Sequence, residues 1–289
     1  MCIRDSINSS ANCVCIVGKS SSFHVKNALE ISEDENLKMI SDSIQSIKNK
    51  NKEPIFDAEH FFDGFKENKE FALSCVKAAY DAGARWVVLC DTNGGTLPDE
   101  IYNIVSEVVK VIPGQNVGIH AHNDTDNAVA NALAAINAGA RQIQGTINGL
   151  GERCGNTNLI SLIPSLVLKT KYKTNVSKDK LKNLIHISRT LNDILNMPSR
   201  KNAPYVGDHA FSHKGGLHAS AIEKNSSTYE HIEPEIVGNS RNVIISNQAG
   251  RSNILNQLNK INIDLPKNEI NNILEIIKEK ESELSLIHI

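Results

Sequence analysis

Two histidines one residue apart give the clearest sign of chemistry in this sequence. His120 and His122 follow the short apolar run Val117–Ile119, which is typical of a buried strand. Side chains at positions i and i+2 of a strand point to the same face, so the two imidazoles would lie side by side. The spacing predicts two ligands of one metal ion. A pair of ordinary strand histidines facing a polar crevice would give the same pattern.

A glycine-rich polar segment follows the next apolar run. It reads NGLGERCGN over residues 148–156 and is called the glycine loop below. Other apolar runs also end, rather than begin, in polar residues, as at Asp57–His60 and Asp91–Asn93. Functional groups at the carboxyl ends of parallel strands are typical of (β/α)₈ barrels and of open doubly wound sheets.

The elements that would position these groups alternate between residues 12 and 170. The predicted strands are Cys13–Val17, Pro54–Phe56, Trp86–Cys90, Val117–Ile119 and Gln142–Ile147. Helical patterns separate them, and Pro98 is expected in the first turn of one helix. This alternation predicts an α/β fold with a parallel sheet. Five strands are too few to close a barrel, so we predict an incomplete TIM (β/α)₈ barrel with about its last five strands.

The alternation stops after Lys169. Apolar residues from Leu181 to Leu195 then predict one long amphipathic helix, and a helical pattern returns near Ile270. We predict a partial barrel over residues 7–170, a helical linker over 171–204 and a small α/β subdomain over 205–283.

Composition excludes several classes of function. The 289 residues carry a formal charge of −2 and lack an apolar run long enough for a membrane span. Neither nucleic acid nor an anionic membrane is therefore expected as a partner. Of the six cysteines, Cys2 lies in the N-terminal segment set aside below, and the other five, Cys13, Cys15, Cys75, Cys90 and Cys154, lack paired C-x-x-C spacing. We interpret them as buried free thiols of a cytoplasmic protein.

Both ends of the sequence resemble translated library adaptor. Residues 1–6 match a translation of the mosaic end used in transposon-based sequencing libraries, and residues 284–289 match a translation of its reverse complement. We expect the chain to be a fragment and leave both ends out of the fold argument. Arg4 and Asp5 are accordingly not assigned to an active site.

Four motifs in order carry a resemblance to a known family. "DTNGGTLP", "GIHAHND", "NGLGERCGN" and "HKGGLHASAI…TYEHIEPEIVG" resemble the metal-dependent enzymes that condense acyl-CoA with 2-oxo acids, namely the isopropylmalate, homocitrate and citramalate synthases. "FDAEHFFDGF", "LCDTNGGTLP" and "GTINGLGERCGN" are most similar to the citramalate synthases in this group. The resemblance implies a TIM barrel with small subdomains, and a homodimer in which these act on the partner's active site.

The resemblance also implies a ligand set. His120, His122 and Asn156 match three ligands of a divalent ion, Mg²⁺, Mn²⁺ or Zn²⁺. A fourth ligand, an aspartate of an early R-D-G motif, is not found in this sequence. Outside the ligands, His24, Asn123 and Glu152 are expected to support the site, whereas Cys154 is expected to pack.

Further residues match the family's reaction machinery. Glu59 matches the base that helps to deprotonate acetyl-CoA, and His218 and Tyr229 match a pair that assists proton transfer or positions water. Thr92 and His213 are expected at the substrate. The non-catalytic alternatives are a carboxylate bonded to loop amides for Glu59, a turn-capping hydroxyl for Thr92, and ordinary surface-loop residues for His218 and Tyr229.

The implied reaction is condensation of acetyl-CoA with pyruvate, followed by thioester hydrolysis, to give (R)-citramalate for isoleucine synthesis. Isopropylmalate or homocitrate synthesis is the alternative within the family. A lyase on the same barrel is an alternative of another kind, but it would not need the extension from about Asp179 to Glu281. A third possibility is that the 289-residue chain is an inactive fragment.

Overall fold

The computed structural model describes residues 2–213, 216–243, 254–255, 258 and 263–284. The chain divides into two compact units, Met1–Leu162 and Ile163–Ile289. The adaptor assignment is untested, since Met1 and residues 285–289 lie outside the described residues, while Cys2–Asn8 forms a helix. The three-part domain division likewise stays a prediction.

A five-stranded sheet forms the centre of the first unit. The strands pair in chain order, and every pairing is parallel. They are β1 Cys13–Lys19, β2 Glu53–Glu59, β3 Trp86–Asp91, β4 Val117–Ala121 and β5 Gln142–Gln144. The predicted parallel α/β architecture is confirmed, and the carboxyl ends of all five strands meet at one edge of the sheet.

One helix precedes the sheet of the first unit, and the others connect its consecutive strands. They are α1 Cys2–Asn8, α2 Glu33–Lys48, α3 Phe61–Glu67, α4 Lys69–Asp81, α5 Pro98–Val108 and α6 Ala128–Ala138. Their apolar stripes face the sheet: Ile44 and Ile47 of α2 and Ile101 of α5 are fully buried. Ser32 begins α2 by accepting the backbone N–H of Glu35, and Pro98 occupies the first turn of α5, as predicted.

Most strand ends differ from the sequence prediction. β2 and β3 run on into their polar ends, because parallel pairing continues through Asp57 in β2 and up to Asp91 in β3. β5 is shorter than predicted and ends at Gln144. The chain then forms a 3₁₀ turn over Ile147–Gly149, and Asn148 has a φ of 60°, which a strand does not accommodate.

The edge strand β1 explains an error about the cysteines. Val14 and Ile16 are buried on one face, whereas Val17, on the other face, is 64% exposed. Cys13 and Cys15 share that open face and are exposed, as is Cys154, so the prediction of buried thiols is wrong for these three. A strand that pairs on one side, with one face uncovered, exposes every second side chain.

The described part of the second unit consists of helices and one pair of two-residue strands. α7 Leu159–Lys169 starts in the first unit and ends in the second. It is followed by α8 Leu184–Ile194, α9 Gly216–Lys224, α10 Lys267–Leu284 and the parallel pair β6 Ser212–His213 and β7 Asn242–Val243. α10 confirms the helix predicted near Ile270. Among the described residues, no helix has the length and apolarity needed to span a bilayer.

The long helix predicted from Leu181 is divided in two. Lys178–Asn183 forms a 3₁₀ helix, and the α-helix starts only at Leu184. Leu181 and Leu184 are three residues apart and both buried. Because residues at i and i+3 eclipse on a 3₁₀ turn, the tighter winding keeps both leucines on one face.

Candidate metal and active site

The glycine loop is held against β4 by backbone pairing. The N–H of Asn123 donates to the carbonyl of Gly155 at 2.8 Å, and His122 and Asn156 form an antiparallel bridge. The loop therefore returns alongside the end of the strand that carries His120, next to His122. This pairing explains how Asn156, 34 residues after His122 in the sequence, reaches the same place.

At two positions in the glycine loop, neighbouring atoms lie too close to leave room for a side chain. A Cβ at Gly151 would lie 2.3 Å from Oδ1 of Asn156. A Cβ at Gly155, where φ is 95°, would lie 1.9 Å from the carbonyl oxygen of Gly149. Side chains at these positions would collide with the loop backbone and with Asn156, so the glycines permit the fold that presents Asn156.

His120, His122 and Asn156 converge. The two imidazole centroids are 5.2 Å apart, and Nδ2 of Asn156 lies 3.2 Å from Nε2 of His120. Oδ1 of Asn156 is buried and has no hydrogen-bond partner among the described residues. An unpaired buried acceptor is costly unless something binds it. Turning this amide over would replace the contact between Nδ2 and His120 by one between Oδ1 and an ion bound at His120.

His120 is bonded through its other nitrogen. Nδ1 lies 2.7 Å from Oε1 of Gln144, and Nε2 of Gln144 donates to Oδ1 of Asp57 at 2.8 Å. Oδ2 of Asp57 is 3.8 Å from the same Nδ1. The pKa of His120 is raised, first by the Asp57 carboxylate and then by Gln144, against the effect of burial.

His122 is oriented by backbone and by arginine. Its Nδ1 lies 2.8 Å from the carbonyl oxygen of Thr92 and 2.7 Å from Nη2 of Arg153. Nη2 has two hydrogens and two oxygen acceptors, the Thr92 carbonyl at 2.7 Å and Oδ1 of Asp124 at 2.9 Å. Nδ1 of His122 is thus the donor to Thr92, which leaves Nε2 as a lone pair. Burial, and then the neighbouring His120, lower the pKa of His122 and favour the neutral ring that metals bind.

The donor set fits a divalent ion. Two imidazole nitrogens and one amide oxygen suit Mn²⁺ or Zn²⁺, and Mg²⁺ if water and substrate oxygens complete the shell. The orphaned oxygen of Asn156 and the fixed ring of His122 are the observations that carry this fit.

A second grouping shares His120. Asp57, Cys90 and His120 each offer an atom within 4.8 Å of the others. However, Oδ1 of Asp57 and Nδ1 of His120 already bond to Gln144. Burial raises the pKa of the Cys90 thiol well above its usual range, which disfavours the thiolate a metal needs. The Asp57 and His120 atoms on the inner face of the sheet are therefore engaged in hydrogen bonds, whereas Oδ1 of Asn156 has no such partner among the described residues.

Glu59 lies at the carboxyl end of β2. Its carboxylate forms an ion pair with Lys19 at the end of β1 and lies 3.9 Å from Nε2 of His60. The ring of His60 stacks on that of His24 with centroids 3.6 Å apart, and burial followed by the nearby His24 lowers the pKa of His60. The predicted base thus stands among cationic and neutral nitrogen groups at the same edge of the sheet as the histidine pair.

Thr92 follows β3 between these two groups. Its hydroxyl oxygen accepts the backbone N–H of His60 at 2.8 Å, and its carbonyl accepts from His122. The hydroxyl still has a hydrogen to donate. Thr92 therefore bonds both to His60, next to Glu59, and to His122. A substrate role for its hydroxyl stays a prediction.

The predicted residues of the second unit form two pairs. Nε2 of His213 lies 3.1 Å from Oε1 of Glu230, a buried carboxylate that also binds the guanidinium of Arg241. The rings of His218 and Tyr229 stack with centroids 4.0 Å apart. The sequence predicted that His218 and Tyr229 act together, and they lie in contact, whereas His213 is engaged in an ion-pair cluster.

The three residues expected to support the metal site, His24, Asn123 and Glu152, have different surroundings. His24 stacks on His60, whereas Oδ1 of Asn123 accepts the N–H of Ala128 at 3.1 Å. The side chain of Glu152 is 85% exposed. Sequence reasoning missed several polar side chains that the structure brings to this edge. They are Lys19, Asp57, Gln144 and Arg153. Each is a polar residue at a strand end or in the glycine loop, which is the signal that could have identified them.

Sequence comparison assigns the family. The profile of the HMGL-like family matches residues 3–190. The chain belongs to the HMGL-like family. A second profile, the homocitrate synthase post-HMGL domain-like family, matches residues 205–284.

Curated relatives include several synthases. The chain is 52% identical to an (R)-citramalate synthase of Aquifex aeolicus, over 93% of this chain and 51% of the relative. It is 32% identical to a 2-isopropylmalate synthase of Sulfolobus acidocaldarius, over 96% of this chain and 70% of the relative. The chain spans about half the length of the citramalate synthases it matches.

Solved structures agree on the fold. A lyase for HMG-CoA from Bacillus subtilis superposes with a TM-score of 0.60 at 20% identity, covering 68% of this chain and 69% of the lyase. Together with the family profile, this similarity confirms the predicted incomplete TIM barrel. At this identity the likeness concerns the fold alone.

Proposed function

We propose that this chain carries the HMGL-like part of an (R)-citramalate synthase. Such an enzyme would join acetyl-CoA to pyruvate and release citramalate and CoA. The proposal is supported above all by the convergence of His120, His122 and the Asn156 amide, whose oxygen is unpaired among the described residues, at the carboxyl edge of the sheet. The identities of 42–52% to five citramalate synthases support the substrate.

His120, His122 and Asn156 would hold a divalent cation. When bound, the ion supplies Lewis-acid polarisation of the keto group of the 2-oxo acid. The chain's own contribution is orientation. Gln144 and the Thr92 carbonyl fix the two rings, and Arg153 ties the Thr92 carbonyl to Asp124. The hydroxyl of Thr92 is free to donate to a substrate carboxylate.

Glu59 would act as the base. Its carboxylate takes one proton from the methyl group of acetyl-CoA, and that carbon then forms the new bond to the keto carbon of pyruvate. The former keto oxygen gains a proton and becomes the hydroxyl of citramalyl-CoA. Water then adds to the thioester carbonyl, and CoA leaves as the thiol. Lys19 would orient the Glu59 carboxylate at the strand end through their ion pair.

His218 and Tyr229 would assist these proton transfers. We propose that the enzyme is a homodimer and that this stacked pair serves the active site of the partner subunit. His213 would act from its cluster with Glu230 as a residue near the substrate. The similarity of residues 205–284 to the homocitrate synthase post-HMGL domain supports a role for this segment within the same enzyme family.

The substrate can be tested directly. CoA release by the full-length protein is measured with pyruvate, 2-oxoisovalerate and 2-oxoglutarate in turn. Citramalate synthesis predicts the highest kcat/KM with pyruvate. A preference for 2-oxoisovalerate or 2-oxoglutarate would replace the proposal by isopropylmalate or homocitrate synthesis, for which relatives at 32–34% identity are known. C–C cleavage of citramalyl-CoA without condensation would instead favour a lyase.

The 289-residue chain by itself is a separate case. Five strands leave one face of β1 open, with Val17 64% exposed. We propose that this chain alone is inactive, binds divalent metal poorly and aggregates through its open sheet edge. Normal turnover of acetyl-CoA by the purified 289-residue chain would refute this proposal.

A further inference from the structure

A chain of three polar side chains crosses the inner face of the sheet. Nε2 of Gln144 donates to Oδ1 of Asp57 at 2.8 Å, and Oε1 of Gln144 lies 2.7 Å from Nδ1 of His120. The bond from β5 to β2 passes over two intervening strands, because the strand order is β1 to β5. We call Asp57, Gln144 and His120 the relay.

The negative charge of Asp57 at one end of the relay determines which ring nitrogen of His120 carries a hydrogen at the other end. A carboxylate only accepts hydrogen bonds, so Asp57 requires the NH₂ end of the Gln144 amide. This orientation turns Oε1, which is also only an acceptor, toward His120. Nδ1 of His120 must then carry the hydrogen, and Nε2, 3.2 Å from the Asn156 amide, must keep its lone pair.

The burial of these side chains favours this orientation of the Gln144 amide. Asp57 is 7% exposed, and the Gln144 and His120 side chains are partly buried. Reversing the amide would point its oxygen at the Asp57 carboxylate, so two acceptors would face each other. The hydrogen bond to Asp57 would be lost where little water is present to replace it.

We propose that Asp57 and Gln144 are positioning residues that hold His120 in the Nδ1–H tautomer and so prepare Nε2 to bind the divalent ion. The inference rests on the proposed metal site and names two residues to which the family comparison gives no role. His122 needs no such relay, because the Thr92 carbonyl accepts its Nδ1–H directly. Partners of this kind typically contribute about 10–100-fold to metal affinity.

A reciprocal exchange tests the relay in the full-length protein. Gln144→Glu alone places a second carboxylate against Asp57, so we expect Mn²⁺ affinity to fall about 10-fold or more. The double variant Asp57→Asn/Gln144→Glu restores complementary groups. Its asparagine NH₂ can donate to the new carboxylate, which in turn accepts the Nδ1–H of His120. We expect the double variant to recover most of the lost affinity and of the kcat/KM for pyruvate.

Histidine ¹⁵N NMR of the metal-free protein provides a readout independent of activity. The wild type and the double variant should show His120 protonated at Nδ1, and Gln144→Leu should show a mixture or the Nε2–H form. Exposed Gln45→Glu is the matched control for the added charge and should change neither signal nor affinity. Far-ultraviolet circular dichroism verifies that every variant folds.

The outcomes separate this inference from the proposed function. Wild-type His120 protonated at Nε2, or a folded double variant no better than Gln144→Glu, would overturn the relay. If His120 shows the expected tautomer but Mn²⁺ broadens neither His120 nor His122, then the proposed metal site fails while the tautomer assignment stands. The relay would in that case keep its orienting role but lose its function in metal binding.

Discussion

His120 in the first unit and His213 in the second each direct one ring nitrogen to an inward side chain, but the charges of their partners differ. His120 meets the neutral amide of Gln144 at 2.7 Å, whereas His213 meets the carboxylate of Glu230 at 3.1 Å. The Glu230 side chain is only 2% exposed and also binds Arg241.

This difference in the charge of the histidine's partner indicates different roles for the two clusters. In the Glu230 cluster, opposite charges meet one another, and the result is a closed structural unit. Around His120 the relay ends in a lone pair beside an amide whose oxygen is unpaired among the described residues. The buried oxygen of Asn156 is a group that a cation could bind, so we contrast a proposed ligand histidine with one held in an ion-pair cluster.

Removing a ligand should give the largest effect. His122→Ala should weaken Mn²⁺ binding to the full-length protein by more than about 100-fold, because a ligand contributes more than the outer partners do. Calorimetric titration measures it. His213→Gln is the matched control in the other cluster and should leave metal affinity unchanged. Equal losses in the two variants would erase the contrast.

Removing the proposed base should separate chemistry from metal binding. Glu59→Gln keeps the size of the side chain but cannot take a proton, so kcat should fall by about 10²–10⁴-fold. Mn²⁺ affinity should stay the same, since Glu59 is bonded to Lys19 and is not among the proposed ligands. Steady-state kinetics and titration are compared with exposed Glu275→Gln. A wild-type kcat in Glu59→Gln would remove this residue from the mechanism.

Two glycine substitutions sharpen the role of the glycine loop. Gly151→Ala introduces a Cβ 2.3 Å from Oδ1 of Asn156, so the amide must move and metal affinity should fall about 10-fold. Gly95→Ala, where an added Cβ meets nothing within 4 Å, is the control and should bind metal normally. Unchanged affinity in Gly151→Ala would argue against Asn156 as a ligand.

The smallest effect concerns stability of the structural cluster. Burial alone would raise the pKa of Glu230, but Arg241 and His213 hold it below its ordinary value. A depressed carboxyl pKa contributes stability above the unfolded pKa, and this contribution disappears as pH falls through the folded pKa. Glu230→Gln should cost about 2 kcal/mol near neutral pH and flatten the acid side of the stability profile.

Urea unfolding between pH 3 and pH 7 measures this prediction. The wild type and Glu230→Gln should differ most at neutral pH and approach each other in acid. A constant difference across the range would mean that the Glu230 carboxylate is not the source of the pH dependence.

The sequence allowed prediction of the features that depend on local pattern. The period-2 spacing of His120 and His122 on a strand, and the first-turn position of Pro98, are both properties of short segments. The convergence of Asn156 could be expected only by resemblance, because it depends on backbone pairing between the glycine loop and β4.

Other features depend on contacts that no local pattern contains. Gln144 and Asp57 are 87 positions apart, and their bond depends on how the strands of the sheet assemble. The exposure of Cys13 and Cys15 likewise depends on which neighbours cover β1 rather than on the apolar character of the strand itself. The early end of β5 depends on the left-handed Asn148 in the following turn.

The central claim is that one cation sits between the two histidines and Asn156. An anomalous difference map from crystals of the full-length protein grown with Mn²⁺ tests it most directly. We predict one peak about 2.0–2.3 Å from Nε2 of His120, Nε2 of His122 and Oδ1 of Asn156. A peak instead among Asp57, Cys90 and Nδ1 of His120, or none near β4, would contradict the account.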